Sequence, residues 1–537
     1  MSAARGKSHL PIAIAIAAAS GFIALSYELV WYRMYSFFTW SAAATFGVLL
    51  AAYLLGIAIG SLISRRFCRD RKTEGEPREL VPLGAFFLVA NTLSVLVVPI
   101  MTRAFTVTWL LNKGLPMGMI TLAAGAMGAV LPLTSHFAIA PDDRAGAKLS
   151  YLYLANIVGS TAGSLLTGFV FLDAMPMAKT CVVIASIGFA TVIAVFLAAR
   201  GGEGGATSKQ VGTGVAASVV LGALVIALGP RLFDQTWERL FYKDKFDGSQ
   251  RFAEVVENKH GVIAVTEDTT VLGGGAYDGR INTSVRHDRN GIGRAYVLGA
   301  MHPNLKEVLM VGLASGAWAE VLSNHPTVEH LTAIEINSGY LEIIERHAEV
   351  APLLKNPKVK IEIDDGRRWL QRHPDRKFDA IVMNTTWNWR AHSTNLLSTE
   401  YMQLARAHLA PGGIFYFNTT SSPEAKKTAL TTFPYGMRVY NFIAASDSPL
   451  ALDKTRWKEM LLAWKLEGVP VFTAEDVDNP AYAHILNYPD SVDAPKPREE
   501  GLERKESLLK ELEGVRVITD DNMATEFIGP LRQPAPI

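Results

Sequence analysis

The 537-residue sequence predicts a multi-pass α-helical membrane domain followed by an α/β domain built on a parallel sheet, with a small antiparallel sheet between them. Three observations carry this. Charged residues make up only 19% of the chain and the mean hydropathy is +0.18, too apolar for a soluble protein of this length. Charge is missing in blocks: residues 34–64, 80–102, 114–141, 149–172, 180–199 and 211–229 hold no Asp, Glu, Lys or Arg, and residues 10–32 hold only Glu28. From Lys306 onward, apolar runs of strand length alternate with helical patterns, as expected of a parallel sheet.

Each charge-poor block is near or above the ~20 residues that cross a hydrocarbon layer of ~30 Å as a helix, so seven transmembrane helices are expected over residues 1–230. Residues 10–32 exceed the apolar core of a cleaved signal peptide. Basic residues set the orientation. Arg5 and Lys7 precede the first block, Arg65, Arg66, Arg69, Arg71, Lys72 and Arg78 separate the second and third, and Arg144, Lys148, Arg200 and Lys209 continue the same side. A cytoplasmic N-terminus in a cell (plasma) membrane follows. The apolar stretch Phe105–Leu111, with Trp109, leaves seven or eight crossings open, and with them the side on which the later domain lies. The whole-chain charge, 52 basic against 51 acidic residues, excludes a strongly basic nucleic-acid binder. Cys68 and Cys181 form no disulfide framework.

Inside the helical half, Gly56/Gly60 and Gly159/Gly163 are G-x-x-x-G pairs, which let helix backbones approach closely. Glu28, Asn156 and His136 are polar groups at membrane depth. Glu28 is read either as an interfacial carboxylate paired with Arg33 or as a transport residue. Residues 231–300 form a linker and a small β subdomain. The linker is amphipathic, with Leu232, Phe233, Trp237, Leu240 and Phe241 among charged residues, and suits a bilayer surface. Residues 252–285 then alternate apolar and polar and are broken at Gly273-Gly274-Gly275 and Asp278-Gly279, which predicts antiparallel strands with hairpin turns.

The parallel sheet is expected to fill residues 301–537. Strands are read at Glu307–Leu313, Val328–Ile334, Lys358–Ile363, Phe378–Met383 and Ile414–Asn418, with helices from Ala317, over Gly366–Gln371 and around Glu400–Leu409, and a turn at Pro411-Gly412-Gly413. Open parallel sheets bind ligands at the carboxyl ends of their strands. Those ends carry Gly312 and Gly316, Glu335, Asp365 and Asn384. A glycine turn after a strand admits a nucleoside to the backbone, and an acidic residue about 20 positions on can hold both ribose hydroxyls, which fits Gly312, Gly316 and Glu335. Asp365 is read as part of this site or as the N-cap of the helix that follows it.

The runs His302-Pro303-Asn304, Val308–Gly312, Ile334-Glu335, Asp365-Gly366-Arg367, Phe378–Ile381 and Pro411-Gly412-Gly413 resemble spermidine synthase. Tyr277–Ser284 is similar to that family's small N-terminal sheet. Tyr27–Trp31, Gly56-x-x-x-Gly60, Leu397–Tyr401, Thr519–Asn522 and Glu526-Phe527 resemble the membrane-fused members. The resemblance implies a class I methyltransferase-like (Rossmann-like) fold and transfer of an aminopropyl group from decarboxylated S-adenosylmethionine to a polyamine, without a metal. Glu335 would hold the ribose, Asp365 the adenine amine, Gly312 and Gly316 the nucleoside, and Tyr296 the substrate side. The family's catalytic D-S-S-D segment aligns with Asn384-Thr385-Thr386-Trp387, and its glycine-loop acid with Ser315. An amide removes no proton and offers a cationic amine no charge, so Asn384 departs from the family chemistry. Asp364, His392 and Glu400 are candidate replacement bases, and Trp387-Asn388-Trp389-Arg390 a candidate cation-recognising lid. Three functions follow: an aminopropyltransferase-like enzyme, an S-adenosylmethionine-dependent methyltransferase acting on a membrane-associated substrate, or a non-catalytic binding or assembly protein. The partners expected are lipid, a polyamine or other small amine, and a second copy or another membrane protein.

Overall fold

The computed structural model describes residues 9–68, 74–106, 111–201, 204–384, 387–420, 422–478 and 502–527. Arg5, Lys7, Arg69, Arg71, Lys72, Trp109, Thr385 and Thr386 therefore lie outside the described residues. The chain divides into two compact units. One gathers the residues up to Thr39, Thr45–Arg251 and Glu257–Gly261; the other gathers Trp40–Ala44, Phe252–Val256 and the chain from Val262.

Among the described residues of the first unit, seven helices are long and apolar enough to cross a membrane: Leu10–Phe38, Ala44–Phe67, Pro77–Ala104, Gly114–Ala138, Ala145–Ala174, Met177–Ala198 and Ser208–Leu232. The first does not stop before Arg33, where the charge pattern divides the sequence. It runs unbroken to Phe38 because the guanidinium of Arg33 finds backbone acceptors, donating to the carbonyls of Asn258 (2.5 Å) and Leu172 (3.5 Å). That also removes the expected Glu28–Arg33 pairing.

Small residues set the helix contacts. A Cβ on Gly159 or Gly163 would collide with the Ala18 or Phe22 carbonyl of the first helix, and one on Gly60 with the backbone of Gly125. Asn156 crosses the same seam, its amide donating to the Ala17 carbonyl (3.3 Å). The outer surface is apolar: Leu54, Leu62, Leu154, Val158, Phe169, Val220 and Ile226 are exposed. The linker does not present its apolar side outward. Phe233, Trp237 and Leu240 are buried, Trp237 packs on Phe37 with ring centroids 4.9 Å apart, and its indole donates to Glu257 (3.0 Å).

Strands β1 (Phe252–Asn258), β2 (Gly261–Thr266), β3 (Thr270–Gly273) and β4 (Ala276–Arg280) form the small sheet in sequential order. Gly274 and Gly275, both with positive φ, make the β3–β4 turn as expected. Asp278-Gly279 is no turn. It lies within β4, where Gly279 pairs with Val271 beside a register shift. The bulge absorbs the glycine's φ of +127° without reversing the chain.

The main sheet holds β5 (Glu307–Val311), β6 (His330–Glu335), β7 (Val359–Ile363), β8 (Phe378–Met383), β9 (Leu409–Asn418), β10 (Tyr435–Val439), β11 (Phe442–Ser446) and β14 (Leu502–Arg504) in the order β14-β10-β11-β9-β8-β5-β6-β7. The remaining strands, β12 (Lys465–Leu466) and β13 (Val469–Pro470), pair only with each other. Five strands, β9-β8-β5-β6-β7, are parallel, matching the five read from sequence. The sheet then continues antiparallel through β11, β10 and β14. Pro411-Gly412-Gly413 falls inside β9 as an irregularity, since the pairing steps from Phe378↔Leu409 to Ala380↔Ile414.

After β5 the chain builds outward through β6 and β7 and then returns to β8 on the other flank of β5. The carboxyl ends of β5 and β8 thus border the crevice where the direction of winding reverses. The loop after β8 is fastened by the C-terminal segment. Glu526, itself buried, accepts the backbone N–H groups of His392 (3.0 Å) and Thr394 (2.9 Å) and the Thr394 hydroxyl (2.5 Å). Asp520 pairs with both terminal nitrogens of Arg367 (2.8 and 2.5 Å).

Two outcomes follow. Gly159→Leu should lower the apparent melting temperature of the detergent-solubilised protein, overpacking costing about 1–3 kcal/mol. Gly146→Leu, at a position with open space around it, should not; equal melting of the two would reject the close-contact seam. Glu526→Gln leaves one donor facing another, and should cost about 1–3 kcal/mol in urea unfolding and speed proteolysis in the loop after β8.

Candidate functional site

The loop leaving β5 begins at Gly312, whose φ of +87° a side-chain-bearing residue resists, and a Cβ there would meet open space. The Gly312 N–H donates to the Ile334 carbonyl (2.8 Å), which turns the following amides toward the end of β6. There Glu335, only 5% exposed, accepts the N–H of Leu313 (2.7 Å) and Ala314 (3.4 Å) on Oε2 and that of Asn337 (2.9 Å) on Oε1. Burial pushes its carboxyl up from the usual range, and the three N–H donors pull part of the way back. One carboxylate thus closes the β5 loop onto β6.

Gly316 serves the turn rather than the cleft. Its φ is +77°, it precedes the helix Ala317–Ser323, and a Cβ would press on Ile344 at 2.9 Å. Asp365 takes the capping reading: one carboxylate oxygen accepts the Arg368 N–H (2.8 Å) at the start of the helix Gly366–Arg372, while the residue stays exposed at the end of β7. Asp364 is taken by Arg372 and Arg368, and so is not a free base. Glu400 accepts the Asp520 N–H (3.0 Å) and serves the same C-terminal segment as the clamp above. His392 is exposed and has its backbone at φ +67°.

Tyr296 departs most from its expected place. It is fully buried, packs on Trp464 with centroids 4.6 Å apart, and donates its hydroxyl to the Thr283 carbonyl (3.2 Å). Burial holds its phenol far above the ordinary range, so it is a core residue with a satisfied polar tip.

A narrow cleft of about 240 Å³, solvent at its mouth included, lies between the β5 loop, β4 and the end of β8, lined by Gly312, Leu313, Ala314, Ser315 and Trp318, by Asp278, Gly279 and Asn290, and by Asn384. The structure therefore brings Gly312, Ser315 and Asn384 together, with Glu335 directly behind the loop. Sequence reading missed two parts of this wall. Asp278 does not face the cleft as a free carboxylate: it pairs with Arg390 (2.6 Å) and accepts the Tyr340 hydroxyl. Arg390, read from sequence as part of an aromatic lid, is thereby a partner of β4. Its neighbours Trp387 and Trp389 stack at 6.0 Å, with Trp389 buried.

The second missed part is a row of amides. Asn384 Oδ1 accepts from Asn418 Nδ2 (3.0 Å), and Asn418 Oδ1 accepts from Asn441 Nδ2 (2.8 Å) and from the Thr420 N–H (2.8 Å). Asn418 ends β9 just as Asn384 ends the adjacent β8, a signal the strand reading contained. Asn441, in the β10–β11 turn, has no such signal.

Residues 295–446 match the model of the spermine/spermidine synthase domain. The chain is 27% identical over 190 residues to a polyamine aminopropyltransferase of Agathobacter rectalis, covering 31% of this chain and 66% of that protein. It is 26% identical over 322 residues to a polyamine aminopropyltransferase of Mycobacterium tuberculosis, covering 57% of this chain and 59% of that protein. The chain thus spans two thirds or less of the length of these relatives. A solved spermidine synthase in complex with the transition-state analogue AdoDATO covers 44% of this chain and 88% of its own, at 18% identity and a TM-score of 0.35. The parallel strands, the glycine loop and the acidic strand end therefore lie within the stretch, residues 295–446, that matches the spermine/spermidine synthase domain model.

Proposed function

We propose that the second unit binds an S-adenosyl nucleoside at the end of the parallel sheet and transfers a group from its sulfonium to a small acceptor, in the manner of the polyamine aminopropyltransferases it resembles. The observation that carries this is Glu335, a buried carboxylate held by three backbone N–H groups beside the open α-carbon of Gly312. With its geometry already fixed, the carboxylate accepts both ribose hydroxyls at little further ordering cost. Asp365, at the end of β7 with one oxygen not used by its cap, is assigned to the adenine amine. Aminopropyl transfer forms a nitrogen–carbon bond as the carbon–sulfur bond breaks, its electron pair leaving with the thioether, and it releases a proton from nitrogen. Asn384 cannot take that proton.

A second reading follows from the wall of the cleft. With Asn384 and Ser315 neutral and Asp278 engaged by Arg390, the acceptor side offers no free carboxylate among the lining residues. That favours an acceptor that is nucleophilic without help, as in a methyltransferase using S-adenosylmethionine. Tyr296 has no part in either reading.

We infer further that the seven apolar helices cross a bilayer. As little as 17% of the most apolar window of Ala145–Ala174 is buried within the protein, which leaves its large side chains to face lipid.

Methylthioadenosine should bind the purified protein in calorimetry, and Glu335→Gln should abolish the binding. Because protonation removes the acceptor, wild-type affinity should fall as pH drops through the raised Glu335 pKa, and stay level above it. Unchanged affinity in the variant would reject the site. The full chain should remain with the membrane pellet after alkaline carbonate washing; release into the supernatant would reject the crossings.

A further inference from the structure

The amide row has a direction, and the direction sets the chemistry that Asn384 shows to the cleft. It starts at Arg294, whose guanidinium only donates. Arg294 gives Nε to the Gly291 carbonyl (2.7 Å), Nη2 to the Asn290 carbonyl (2.8 Å) and Nη1 to Asn441 Oδ1 (2.5 Å). Asn441 must therefore turn its oxygen to Arg294 and its NH2 to Asn418 Oδ1. The Thr420 N–H reaches the same Asn418 oxygen and fixes that amide independently. Asn418 then gives its NH2 to Asn384 Oδ1. That bond occupies one lone pair of Asn384 Oδ1 and fixes which way the amide is turned, and the Asn384 NH2 has no acceptor among the described residues.

We propose that Asn384 is a specificity-determining group that receives an oxygen of the acceptor or donor tail, a carboxylate above all, and turns away an ammonium. This rests on the reading of the cleft as a small-molecule site and specifies the ligand class that site takes. An ammonium has only donors, so against the Asn384 NH2 it would meet N–H with N–H, and it would have to share an oxygen that already accepts from Asn418; a carboxylate has only acceptors. The electrostatics favour the same partner. Arg294 bonds to three neutral oxygens and has no carboxylate partner among the described residues, so its charge polarises the row toward Asn384. On the opposite wall, the charge of Asp278 is already met by Arg390 at 2.6 Å. A cationic chain lying against Asn384 and Asp278, away from Glu335, meets no unpaired carboxylate on those two walls.

The test compares two probes of equal chain length, 1,4-diaminobutane and 4-aminobutanoate, binding to the full-length purified protein in detergent by calorimetry, without nucleoside. The carboxylate-bearing probe should bind about tenfold more tightly, the size of one charge-assisted hydrogen bond. Asn384→Asp should reverse the order, and Asn441→Leu, which cuts the row two residues back, should reduce the preference severalfold while leaving the far-ultraviolet circular dichroism unchanged. Equal or tighter binding of the diamine to the wild type, or no binding of 4-aminobutanoate in the millimolar range, overturns the proposal. So does an Asn384→Asp variant that folds and keeps the wild-type order. The wild-type comparison stands even if a variant does not fold. Because no nucleoside is present, loss of methylthioadenosine binding would count against the transferase reading alone.

Discussion

The second unit is organised around one buried charge. Glu335 lies at the end of β6, where desolvation penalises a carboxylate, and it is kept there by N–H donors from the loop after β5 and from the turn after itself. Removing those donors would leave a buried acceptor unmet; removing the carboxylate would leave the Leu313 and Ala314 amides without partners. Neither strand end is therefore independent of the other, and the glycine at 312 is the residue that lets the backbone make the turn. The nucleoside reading, the position of Ser315 and the floor of the cleft all descend from this contact.

Opposite that charged corner, the wall is neutral by construction rather than by omission. Asp278 is present, but Arg390 and Tyr340 consume it. Asn384 is present, but Asn418 holds its oxygen. The two sides of the cleft thus differ in kind: behind one lies the Glu335 carboxylate, held by backbone N–H groups, and the other ends in the row of amides.

The helical unit is governed by a different constraint. Between apolar helices, surface burial alone does not choose partners, so close backbone approach does. Gly159 and Gly163 meet the helix Leu10–Phe38, and Gly60 meets Gly125, each at a separation no larger residue allows. Polar groups placed in this unit are served by backbone carbonyls of other segments, Arg33 by two and Asn156 by one.

The sequence by itself determined the pattern-driven features. Seven charge-poor blocks, six of them without a charge, gave seven apolar helices, and apolar strand runs gave five parallel strands with Gly312, Glu335, Asp365 and Asn384 at their ends, because periodicity and charge spacing are local properties. Tertiary structure decided what each polar group meets. Asp278-Gly279 reads as a turn until its partner strand imposes a bulge, and Tyr296 reads as a site residue until packing on Trp464 buries it. Helix one reads as ending at Arg33 until two distant carbonyls accept the guanidinium. The donor character of Asn384 depends on Arg294, Asn441 and Asn418, residues up to 147 positions apart in the chain. Hydrogen-bond polarity passes through space from one partner to the next, so no local pattern around position 384 carries it.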